Sequence, residues 1–184
     1  YKNYIQLLKT NDIRIDSSVT AGRRITKLHE YDYTKAPTYT YWRFNDNLLT
    51  PDLNGYFHEY RIKAIGPYYS LKYIYLKRML QKKYSPLFSY NDGLSHINRL
   101  NRLKELFLKL FQKQSFHACT DGLMAANLIN IYRKSCEEND DMVVIGHPKC
   151  TTDASLKLTE KFIQYAKAQG ACFKKIDESL LYNQ

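Results

Sequence analysis

Met142-Val143-Val144-Ile145-Gly146-His147-Pro148-Lys149 is the stretch on which the fold turns. An apolar run stops at a histidine, and Pro148 blocks any further pairing ladder. A helix-like segment from about Thr152 to Gln169 follows. The order reads as a buried strand leading into a helix. It sets the His147 imidazole at the C-terminal end of a strand, where α/β folds hold their active sites. The plainer reading, a histidine that only caps a strand, stands beside it.

Working backwards, Ser115 to Asp121 reads as a short strand, and Asp121-Gly122 starts a helix reaching about Glu138. An acidic turn, Glu137-Glu138-Asn139-Asp140-Asp141, separates that helix from the His147 strand. Beyond the last helix Gly170 fits a C′ position, and Ala171 to Ile176 reads as a final strand. The back half is therefore strand–helix–strand–helix–strand, which implies parallel strands joined by crossovers.

The front half is less regular. Tyr1 to Thr10 has helical periodicity, and Asp12 to Val19 alternates as a strand. Tyr39 to Phe44 and Phe57 to Ile65 are further strand candidates. Two helices are expected, from Pro67 to about Tyr84 and from Leu94 to Gln112, with cationic faces interleaved with apolar positions.

At 184 residues, with 44% hydrophobic and 25% charged residues, the chain fits one domain spanning 1–184. It has no apolar run of about 18 residues, so no membrane-spanning helix is expected. The net charge of +10, with 17 Tyr and 8 Phe, favours anionic partners and raises nucleic-acid binding as a third-ranked reading. Cys119, Cys136, Cys150 and Cys172 form no C-x-x-C and no zinc-finger spacing. Cys119 and Cys172 read as small buried hydrophobes in strands. Free thiols in this number favour the cytoplasm over the cell envelope.

Several segments, in order, resemble NodB-type polysaccharide deacetylases. They are Leu7 to Val19, ending Asp16-Ser17-Ser18-Val19; Gly22, Tyr31-Asp32-Tyr33, Ala36-Pro37 and Tyr41-Trp42-Arg43-Phe44; Gly55 to Ile62, a Gly-x-x-x-Glu-x-Pro-Ile pattern with Arg61 in place of proline; and the His147 strand. The resemblance implies a (β/α) barrel of the glycoside hydrolase/deacetylase type. Here it would be partial, with its front strands missing and a helical insertion at about 67–112. It implies hydrolysis of N-acetyl, or sometimes O-acetyl, groups on a glycan. His147 maps onto the family's general-acid histidine and Asp121 onto the carboxylate that orients it. The family's Trp four residues after that Asp is here Ala125.

The family also implies a divalent metal, usually zinc, held by an Asp-His-His set in the intact parent protein. No H-x-x-x-H occurs here, so no metal ligands are assigned and none is expected to be bound by this segment. The ligand motifs would lie before Tyr1, and the segment alone is expected to be inactive. Trp42 and Tyr41 are candidate sugar-stacking residues, with a core role as the alternative. His29, His58, His96 and His117 read as structural. A non-catalytic glycan- or protein-binding member of the same fold is the runner-up. A barrel cut at this point leaves the strand near Asp12 to Val19 with a bare edge, open to the missing half or to a second copy.

Overall fold

The computed structural model describes residues 2–22, 24–25, 31–69 and 113–176. Helix α1 (Lys2–Thr10) turns Ile5 and Leu8 into the interior and leaves Leu7 exposed. It ends where Asp12 takes a left-handed conformation (φ 51°), which a short polar side chain tolerates. The Ile13 amide then closes back on the Leu8 carbonyl at 2.9 Å.

Strand β1 (Ile15–Asp16) follows, then the small antiparallel pair β2 (Arg24–Ile25) and β3 (Tyr31–Asp32). Strands β4 (Tyr41–Phe44) and β5 (Phe57–Tyr60) complete a three-stranded sheet in the order β1-β5-β4. β5 is central: parallel to β1 through Ile15↔His58 and Asp16↔Glu59, antiparallel to β4 through Trp42↔Glu59 and its neighbours. All of its residues are buried, as a strand paired on both sides and covered on both faces should be. Gly55 lets the turn before β5 lie on the Phe44 backbone, since a Cβ there would sit 2.7 Å from the Phe44 carbonyl. Ile5, Leu8, Val19, Trp42, Phe44, Leu48 and Phe57 form the core beneath this sheet.

The second half has its own core. Strands β6 (Ala64–Tyr69) and β7 (Lys113–His117) pair antiparallel, with a register shift between Ile65 and Tyr68. A 3₁₀ turn over Gly122–Asn127 runs into α2 (Leu128–Glu137), and α3 spans Asp153–Ala168. Phe116, Ala118, Leu128, Ile131, Leu158, Phe162 and Ala166 close around one another. Helix α3 begins at a reciprocal cap, Thr152 with Ser155, and ends before Gly170 at φ 82°.

The His147 strand is shorter than its apolar run suggests. It is held by two parallel bridges, Val143 to Ile62 and Ile145 to Cys119. Four segments thus lie side by side in parallel: β1, β5 with its continuation to Ile62, Val143–Ile145, and the chain at Cys119. Among the described residues the paired strands form small separate sheets and do not close into a barrel.

Four expectations need correcting. The strand Asp12 to Val19 contracts to β1; on either side the Arg14 and Val19 carbonyls accept from the His58 and Ile62 amides, while the Ser18 and Val19 amides go to Glu59. Pro67–Tyr69 continues strand β6 and starts no helix; the rest of the expected helical insertion, with its cationic faces, lies outside the described residues. The back-half strands at Cys119 and Ile145 pair parallel as expected, but β7 also pairs antiparallel with β6 from the front half. Ala171–Ile176 forms no strand: the Ala171 amide caps α3 on the Ala166 carbonyl, and the Phe173 ring packs edge-on against Phe162. Cys172 is consequently exposed, whereas Cys119 is buried as expected.

A group of charges ties the two cores together. Lys63, with only 3% of its side chain exposed, pairs with Glu138 at 2.6 Å and with Asp140. Arg61 reaches Asp140 at 3.0 Å. The acidic turn is thereby anchored to the strand region beside the His147 segment. No described helix is long and apolar enough to cross a membrane.

Candidate active site

The site is assembled by pairing. Cys119 and Ile145 are partners in a parallel bridge, so two residues further on Asp121 stands beside His147 on the same face. The Ile145 amide donates to Ala118 at 3.1 Å and the Thr120 amide to Ile145 at 2.9 Å, fixing that register. Gly146 permits the close approach, because a Cβ there would collide with the Thr120 hydroxyl. Pro148 opens a 3₁₀ turn directly after His147 and ends the strand.

Asp121 precedes a helical turn, where an aspartate ordinarily accepts from the backbone amides of that turn. It makes no such cap. Both of its oxygens go to His147 instead: Oδ1 accepts from the His147 backbone amide at 2.7 Å, and Oδ2 lies 2.5 Å from Nδ1. Burial pushes the Asp121 carboxyl up, but the His147 amide and ring, with Cys119, outweigh it and hold it below the usual carboxylate range. An ionised Asp121 places the proton on Nδ1 and leaves Nε2 as the working nitrogen. The imidazole side chain is 54% exposed, so Nε2 can meet a large substrate.

Cys119 is the member of this cluster that sequence reasoning missed. Its sulfur accepts from the Asp121 amide at 3.4 Å, and burial pushes its thiol up to about 12. Cys119, Asp121 and His147 offer ligand atoms all within 4.8 Å of one another. The signal was present as Cys119-x-Asp121 on one strand face, but it acquires meaning only once the Cys119–Ile145 pairing is known. Among the described residues this is the one group of three or more His, Cys, Asp or Glu able to hold a metal. It is not the Asp-His-His set that the resemblance implies.

The aromatic candidates lie elsewhere. Trp42 is 4% exposed and its indole donates to the Leu48 carbonyl at 2.9 Å, so it is a core residue with no face for a sugar. Tyr41 is half-buried, with its hydroxyl 2.7 Å from Nδ1 of His58 and its ring against Tyr60. His58 is structural, its pKa lowered by burial and by Arg43 and Arg14. His117 is half-buried in β7, and His29 and His96 lie outside the described residues.

Glu59, carried in the Gly-x-x-x-Glu segment, is fully buried. Its Oε1 accepts from the Ser18 amide at 3.2 Å and the Val19 amide at 2.9 Å. Burial, and next the Asp16 carboxyl, push it up to about 8 against the pull of those amides. The Asp16-Ser17-Ser18-Val19 turn is therefore shaped by Glu59, with Ser17 bonded to the Tyr60 carbonyl at 2.7 Å.

A scan of protein-family models, a search of curated proteins and a search of solved structures each return no match to this chain.

Proposed function

We propose that this chain carries the general-acid end of a carbohydrate deacetylase of the NodB type, within a partial (β/α) barrel. The observation that supports the reading most is the Asp121–His147 pair, an aspartate that gives up its helix cap to hold an exposed imidazole. The four parallel segments running from β1 to Cys119 agree with one side of such a barrel.

Amide hydrolysis stalls at departure of the amine, a poor leaving group until its nitrogen is protonated. His147 supplies that proton from Nε2 as the C–N bond breaks, while Asp121 keeps Nδ1–H in place and compensates the imidazolium charge. A positioned acid of this kind contributes about 10²–10⁴-fold. The metal that the resemblance implies would supply carbonyl polarisation and an activated water, but the Asp-His-His set to hold it is not among the described residues.

The test is acetate release from N- and O-acetylated oligosaccharides by the protein containing this chain. His147→Ala lowers turnover by about 10²–10⁴-fold with the fold intact by circular dichroism. Unchanged turnover, or no acetate release from any acetylated glycan by the unaltered protein, overturns the proposal.

A further inference from the structure

The same corner of the molecule supports a use that needs no acetylated substrate. We infer that Cys119, Asp121 and His147 form a binding site for a divalent transition metal of borderline softness, zinc above all, with an open fourth position. A metal on His147 displaces the Nδ1 proton that the general-acid reading keeps there, so the two readings are alternative uses of the same pair and the failure of either leaves the other standing.

Three observations carry it. The ligand atoms already converge, all within 4.8 Å of one another. Thiolate and imidazole ligands around tetrahedral zinc sit about 3.5 Å apart, given Zn–S near 2.3 Å and Zn–N near 2.0 Å. Closing the group takes side-chain movements of roughly an ångström. The backbone beneath is fixed, since Ala118, Thr120 and Ile145 are hydrogen-bonded across the pair that bears all three ligands. The donor set itself is selective: sulfur, nitrogen and one carboxylate suit zinc, whereas calcium and magnesium require oxygen cages.

Charge balance agrees. A thiolate, a carboxylate and a neutral imidazole carry two negative charges between them, which one divalent ion neutralises. In the metal-free molecule Nδ1 and Oδ2 are 2.5 Å apart, closer than two ligands on one metal sit. The metal therefore takes the place of the shared proton, and the two atoms separate to receive it. Three protein ligands leave a fourth position, and the exposed face of His147 turns that position toward solvent.

Cobalt is the probe, because its absorption reports both the ligand type and the coordination number. The chain, reduced and stripped of metal with a chelator, is titrated with Co²⁺ and then with Zn²⁺. The expected result is one equivalent of bound Co²⁺, showing a thiolate-to-metal charge-transfer band and strong visible absorption of a four-coordinate ion. Zn²⁺ abolishes both. Cys119→Ala and His147→Ala each weaken Co²⁺ binding by more than about 100-fold. Because His147 is exposed, its variant keeps the test valid even if the buried Cys119 variant fails to fold. The triple variant Cys136→Ser, Cys150→Ser, Cys172→Ser keeps the charge-transfer band. Absence of the band in the unaltered chain, its persistence in His147→Ala, or its loss in the triple variant overturns the assignment.

Discussion

Glu59 and Asp121 are two carboxyl groups in the same molecule using the same device to opposite ends. Each accepts backbone amides from a neighbouring segment and so fixes how two stretches of chain meet. Glu59 does this in the core, fully buried, where loss of water dominates and its pKa climbs to about 8. Asp121 does it at a rim, with 17% of its side chain exposed and a histidine as partner, where hydrogen bonding dominates and its pKa falls. A carboxyl group sunk in the core and accepting from backbone amides organises structure. One whose partner is an exposed titratable ring is available for chemistry.

The largest effect that would break this contrast is expected at the rim. Asp121→Asn keeps an oxygen for the His147 amide but no longer compensates an imidazolium, and should lower deacetylation by about 10²–10⁴-fold. Its denaturant midpoint should stay close to that of the unaltered protein. A large stability loss with turnover retained would make Asp121 a second Glu59.

In the core the expectation reverses. Glu59→Ala strands the Ser18 and Val19 amides and opens a cavity, at a cost of about 2–4 kcal/mol in urea unfolding. Glu59→Gln keeps the accepting oxygen and the volume and should cost no more than about 1 kcal/mol. Equal losses in the two variants would show that the amide bonds are not what matters.

The sequence made part of this visible. Helix α3 was legible because its helix-like segment runs into Gly170, which marks its end independently of tertiary contacts; the Thr152–Ser155 cap at its start emerges only in the structure. His147 and Asp121 were legible because each stands where an apolar run stops. Cys119 was taken for packing alone, since a buried thiol looks the same in sequence whether or not a carboxylate and an imidazole share its face. Lys63 and Arg61 were hidden for a related reason. Charges in an apolar strand read as solvent-facing until the acidic turn, distant in sequence, is placed against them. Trp42 was misleading as a sugar platform because its closing contact, the Leu48 carbonyl, lies in an irregular loop with no pattern to read. Ala171–Ile176 has strand composition but gains more from capping and packing on α3.

A further effect sharpens the contrast through pH. Glu59 is raised on folding, so the folded state holds its proton longer than the unfolded chain. Its contribution is complete below the ordinary value of 4.5 and is lost as pH rises to about 8. Over that window stability should fall with a slope of up to about 1.4 kcal/mol per pH unit, and Glu59→Gln should flatten it. Asp121 works in the other direction: its contribution is present above the ordinary value of 3.8 and is lost as pH falls through its lower folded value. Urea midpoints measured from pH 4 to 9 in the two proteins check the first sign. A slope that persists in Glu59→Gln would remove Glu59 as its source.

The central claim is that His147 protonates a departing amine, and its most direct test is sensitivity to the leaving group. Rates are compared for an N-acetyl amide, which needs an acid, and for an aryl acetate, whose phenolate leaves without one. The account predicts that His147→Ala lowers the amide rate by about 10²–10⁴-fold and the aryl acetate rate by less than about tenfold. Equal losses on both substrates, or no loss on the amide, would contradict it.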